Sequence, residues 1–207
     1  MWHGLVRGIV FIVFWIAFVM GSKRRVRKRS GRNRMALAVT ALAMVMLSLG
    51  RIENVFYSFP TAESVAEYVC GDHVLNIIDG KNSSLIVYSD DEGVIKMMIT
   101  PRQKSGYKIG SDFHKKTISS DYTHGYLVDI LRYKDVEDCY ITIIGIFNTP
   151  EISVEDSCNS KFVESKEENV FGNVEFTDYM ALAFIEEYTE GYTVTITIGG
   201  ESMTLSL

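Results

Sequence analysis

The charges of this chain are segregated. Its first 51 residues carry ten Lys or Arg and no acid, whereas residues 52–207 carry all 26 Asp and Glu and only 11 Lys or Arg. The overall formal charge of -5 is therefore the sum of a basic segment and an acidic one with a net charge of -15. Two apolar runs bracket the basic residues: Leu5 to Gly21, interrupted by Arg7, and Met35 to Gly50, which has no charge. At about 1.5 Å per helical residue such runs reach about 25 Å, a little short of the roughly 30 Å hydrocarbon core of a bilayer. The basic side chains at Arg34 and Arg51 can snorkel to close that gap. The expectation is a membrane hairpin over residues 1–51, with transmembrane helices at about 5–21 and 35–50 and a basic loop at 22–34.

That loop holds Lys23, Arg24, Arg25, Arg27, Lys28, Arg29, Arg32 and Arg34. Positive charge in a short loop stays on the cytoplasmic side. The expected location is thus the cell membrane, crossed twice, with both termini and the acidic domain of residues 52–207 extracytoplasmic. The lipid bilayer is the first partner this implies. A competing reading makes residues 22–50 a secretory signal, with the small residues Ser48 and Gly50 before a cut at Arg51; it leaves the first apolar run unexplained. Phe11, Trp15 and Phe18 fall on one helical face, and Ala36, Ala38, Ala41 and Ala43 make the second run small, so the two could pack large into small or simply face lipid.

The acidic domain opens with one short helix. Thr61 is a good N-cap after Pro60, Glu63 sits in the first turn where the helix dipole favours an anion, and Gly71 supplies the stop. Ala62, Val65, Tyr68 and Val69 form its apolar stripe, which suits packing on a sheet. Strands follow at Val74 to Ile78, Ser84 to Tyr88, Val94 to Ile99, Tyr107 to Ile109, Lys116 to Ser119, Tyr126 to Tyr133, Cys139 to Phe147 and Glu151 to Val154. Turn residues separate them about every 8 to 12 residues, the spacing of an antiparallel sandwich or barrel. The expected fold class is therefore two N-terminal transmembrane α-helices plus a mainly-β extracytoplasmic domain, sandwich or barrel-like, with one short packed helix.

At the C-terminus, Gly199-Gly200 predicts a two-residue hairpin turn. It sets Ile196 opposite Met203, Val194 opposite Leu205 and Tyr192 opposite Leu207, with Thr and Ser on the other face. Tyr179 to Glu187 has helical composition but lies between strand-like segments, which favours a strand. The strings Pro60-Thr61-Ala62-Glu63, Leu85-Ile86-Val87-Tyr88 and Gly106-Tyr107-Lys108-Ile109, in this order after the apolar runs, resemble bacterial membrane-anchored proteins with an extracytoplasmic β-rich domain. The resemblance covers about a third of the domain; it implies no activity and supplies no catalytic residue.

Phosphate-binding glycine loops, nucleophile elbows and helical zinc-protease motifs are absent from the sequence. The one metal-ligating pattern is Asp112, His114, Asp121 and His124, two Asp/His pairs whose oxygen and nitrogen donors suit a divalent cation, although loops are rich in such residues anyway. Asp90, Asp91 and Glu92 offer oxygens to calcium without the spacing of a dedicated loop, and Asp135, Glu137 and Asp138 read as a solvated acidic turn. Cys70, Cys139 and Cys158 permit at most one disulfide and read best as free thiols. Asn82-Ser83-Ser84 matches a glycosylation sequon.

These residues point to a membrane-anchored interaction or sensing module, with no cofactor and no catalytic activity expected. A net charge of -15 repels nucleic acid, leaving another membrane protein or a neutral or cationic ligand as the partner. The alternatives are an envelope metal-dependent hydrolase using Asp112, His114, Asp121 and His124, and a small-molecule-binding β-domain.

Overall fold

A computed structural model describes residues 12, 13, 15, 16, 38, 51, 53–123, 125–149, 151–171 and 174–207. The first element with described bounds is a short helix α1 (Glu53–Phe56), followed by α2 (Ala62–Cys70) and a 3-10 turn (Gly71–His73). Twelve strands follow: β1 (Val74–Asp79), β2 (Ser83–Ser89), β3 (Ile95–Gln103), β4 (Gly106–Tyr107), β5 (Lys115–Thr123), β6 (Tyr126–Tyr133), β7 (Cys139–Phe147), β8 (Ile152–Asp156), β9 (Val163–Phe171), β10 (Val174–Ile185), β11 (Thr193–Ile198) and β12 (Glu201–Ser206).

The expectation of two transmembrane helices is corrected. Among the described residues no helix is long and apolar enough to cross a membrane. The longest helix whose bounds are described, α2, has nine residues, about half of the roughly 20 that a spanning helix needs. Residues 5–21 and 35–50, on which that expectation rested, lie outside the described residues except at positions 12, 13, 15, 16 and 38. The described architecture is mainly β with one short packed helix, and it is not a single sandwich or barrel.

The strands form three antiparallel sheets, ordered β1-β2-β3-β4, β5-β6-β7-β10-β9 and β12-β11-β8. Strand period dictates how they stack, because successive side chains point to opposite faces. From the five-stranded sheet, Leu131, Tyr133, Tyr140 and Leu182 pack on Ile78, Leu85, Val87 and Ile99 of the four-stranded sheet. The alternate residues Tyr126, Val128, Ile130, Ile141, Ile143, Tyr179 and Ala181 pack on Ile152, Val154, Val194 and Ile196 of the three-stranded sheet. The outer face of the four-stranded sheet, through Ile86 and Met98, receives Val65 and Ala66 of α2. Helix, sheet, sheet and sheet thus lie in four layers. The central strand β7 reads CYITIIGIF because both of its faces are covered.

Helix α2 starts and stops as its sequence predicts. Thr61 Oγ1 accepts from the Ser64 backbone N–H at 3.2 Å, and Ser64 Oγ accepts from the Thr61 N–H at 3.2 Å, a reciprocal capping box. Gly71 at φ 61° ends it. The last hairpin has the expected register, pairing Thr195 with Thr204 and Ile196 with Met203. Its turn needs left-handed backbone twice, which Gly199 (φ 57°) and Gly200 (φ 87°) provide. Tyr179 to Ile185 is strand, within β10, because pairing with β7 on one side and β9 on the other outweighs helical propensity.

Candidate functional site

Stacking the first two sheets leaves a cleft of about 350 Å³ where β2 and β3 overhang β5 and β6. Leu131 and Met97 contribute its apolar lining, and Tyr88, Thr117, Lys96, Lys115, Asp112 and Asp129 its polar lining. Alternation in β6 (YLVDILRY) turns Tyr126, Val128 and Ile130 toward the three-stranded sheet and therefore presents Asp129 on the opposite face, beside Leu131. In register, Asp129 lies between Ser120 of β5 and Thr142 of β7.

The charges of the cleft are unequally satisfied. Lys96 Nζ lies 2.7 Å from Asp90 Oδ2. Lys115 Nζ donates to the Met97 carbonyl at 2.9 Å and approaches Asp112 Oδ1 at 3.7 Å. Asp129, half-buried, has no hydrogen-bond or ion-pair partner among the described residues. The ammonium groups are engaged while one carboxylate is open. An arrangement of this kind favours an incoming cation over an anion. Tyr88 lies beside it, its phenol raised chiefly by burial, and offers an aromatic surface to the same cation.

Of the four residues expected from the sequence to bind a metal, the three that are described are spread along β5 and the turn before it. Asp112 and His114 occupy the turn before it, and Asp121 sits near its far end, opposite Val128. Seven residue steps separate His114 from Asp121, about 23 Å at about 3.3 Å per step. His124 lies outside the described residues. Asp112 is on the rim of the cleft, while His114 leaves it: its Nδ1 is 3.1 Å from the Tyr133 hydroxyl, with the two rings edge to face. Among the described residues no group of three or more His, Cys, Asp and Glu could hold a metal ion.

The other acidic turns have structural work. Asp90 Oδ1 accepts from the backbone N–H groups of Glu92 at 3.0 Å and Val94 at 2.8 Å. The hydrogen bond from Lys96, ahead of these backbone bonds, holds the Asp90 carboxyl below its usual range. Asp138, expected to be solvated, is buried: it accepts from the Asn82 N–H at 2.6 Å and from Ser83 Oγ at 2.9 Å. Ser83 Oγ also lies 2.8 Å from the Tyr140 hydroxyl. This network ties the β1–β2 turn to the start of β7, and burial pushes the Tyr140 phenol far up. Gly80 is required beside it, since a Cβ there would meet Tyr140 Oη at 2.5 Å and Asp138 Oδ2 at 2.6 Å. All three cysteines are free: Cys70 and Cys139 are buried, Cys158 half-buried, and burial raises the Cys70 thiol to about 11.

Asp129 escaped sequence reasoning because it looks like any polar residue of a strand alternating with apolar ones. Only the overhang of another sheet makes it a cleft residue. The chain matches no protein-family profile and no curated protein.

Proposed function

We propose that the β-domain is an interaction or sensing module that receives a cationic group, such as a basic side chain of another membrane protein, in the cleft at Asp129. The observation that carries this reading is the Asp129 carboxylate, without a partner among the described residues, in a cleft whose two lysines are already engaged. The net charge of -15 over residues 52–207 adds long-range attraction for a basic partner. The apolar runs and basic cluster of residues 1–51 support work at the cell membrane, with the acidic domain on the extracytoplasmic side.

Photo-crosslinking in native membranes tests it. A photoreactive side chain at Thr117, on the cleft wall, should capture a recurrent neighbour, and Asp129→Asn should abolish that adduct. An adduct of equal yield in Asp129→Asn would show that the cleft charge is irrelevant.

A further inference from the structure

The three sheets have six edge strands, β1, β4, β5, β9, β8 and β12. An exposed edge is a row of unpaired backbone groups, and proteins blunt such edges with charges, bulges, short strands or coverings. Five of these edges carry such a device. Strand β1 has a bulge between Val74 and Asn76, and β5 has one between Thr117 and Ser119 with Lys115, Lys116 and Asp121 along it. Strand β4 is two residues long and is bridged by Phe59. Strand β9 (VESKEENVF) carries Glu164, Lys166, Glu167 and Glu168. Strand β8 is covered at Ile152, whose carbonyl accepts from Lys166 Nζ at 2.6 Å.

Among the described residues, strand β12 (ESMTLS) has none of these. It has no bulge in its pairing with β11, no Lys, Arg or Pro, and its one charge is at the first residue, Glu201. The Leu207 N–H donates to the Tyr192 carbonyl at 2.9 Å, which fixes the parity of the strand. Glu201, Met203, Leu205 and Leu207 direct their backbone groups at β11, so Ser202, Thr204 and Ser206 direct theirs at the free edge.

We infer that this edge pairs with the same edge of a second copy of the chain, antiparallel about a two-fold axis through Thr204. The strand is complementary to itself in this register. Thr204 meets its counterpart and Ser202 meets Ser206, and the three outward residues exchange about six backbone hydrogen bonds. Their hydroxyls extend a ladder already present, in which Thr195 faces Thr204 at 2.9 Å and Thr197 faces Ser202 at 2.8 Å. On the inner face, half-buried Met203 meets half-buried Leu205, continuing the apolar row that packs against the core. Glu201 falls opposite Leu207 rather than opposite the other Glu201, so the two like charges stand at opposite ends of the pair. The result is one six-stranded sheet across two chains.

The test is sedimentation of the full chain across concentration, with substitutions at position 204. Thr204→Pro deletes an outward N–H and leaves the bonds to β11 intact; it should weaken dimerisation at least about tenfold with little change in unfolding midpoint. Thr204→Lys should do the same by edge charge, and keeps the test sound if the proline variant folds poorly. In a Cys158→Ser background, Thr204→Cys should form a disulfide-linked dimer on mild oxidation, whereas Thr195→Cys, in the middle strand, should not. A monomer at all concentrations would overturn the inference. So would a dimer indifferent to both Thr204→Pro and Thr204→Lys, or equal crosslinking from position 195.

Discussion

Replacing Asp138 with alanine probes the joint between the first two sheets. The carboxylate is 4% exposed and serves two strong donors, the Asn82 N–H at 2.6 Å and Ser83 Oγ at 2.9 Å, with a weak third from Asn82 Nδ2 at 3.5 Å. Hydrogen bonds to a charged acceptor contribute about 1.5–3 kcal/mol each. Burying the carboxylate offsets part of that gain. The alanine variant loses the bonds, keeps the buried donors and regains only the desolvation, for a net loss of about 2–4 kcal/mol. In a domain of this size 3 kcal/mol lowers Tm by about 6–12 °C. Asp138→Asn retains one acceptor oxygen and should lose about 1–2 kcal/mol. Urea unfolding of the full chain gives the numbers, provided the m-value is unchanged. A double-mutant cycle with Ser83→Ala should show a coupling of about 1 kcal/mol. A loss below about 0.5 kcal/mol for Asp138→Ala would refute the view that this network joins the layers.

Thr61→Ala removes one half of the α2 capping box and should destabilise the domain by about 1 kcal/mol; urea unfolding checks it, and restoration by Thr61→Asp distinguishes capping from packing. The Asp90 carboxyl is held below the usual aspartate value of 3.8, first by the Lys96 hydrogen bond. Its stabilising effect is therefore complete above the unfolded-state value and is lost as pH falls through the lower folded-state value. A carbon-detected NMR titration should give a midpoint below 3.8 that rises in Lys96→Met; an unchanged midpoint would remove Lys96 as the cause.

Local features of the domain were legible in the sequence wherever local chemistry decides them. Thr61 and Gly71 mark the ends of α2, and Gly199-Gly200 with flanking alternation sets the β11–β12 register. Layering was not legible. Strand β7 is apolar nearly throughout, and a continuous apolar run cannot say which residue faces which neighbouring sheet. Strand β9 was hidden by its charges, which belong to an exposed edge. Asp138 resembled Asp135 and Glu137 in sequence, yet only Asp138 is buried by the β1–β2 turn folding over it. The same applies to the cleft, where Asp112 was singled out for metal chemistry and Asp129 was passed over. Their shared cavity depends on the 16 intervening residues folding back as the β5–β6 hairpin beneath β3.

An NMR titration of the full chain with methylguanidinium, and with neutral methylurea of the same shape, tests the proposed recognition of a cation most directly. Methylguanidinium should shift the amides of Met97, Thr117 and Asp129 in a saturable way, methylurea should not, and Asp129→Asn should abolish the shifts. Equal responses to the two probes, or shifts that survive Asp129→Asn, would contradict it.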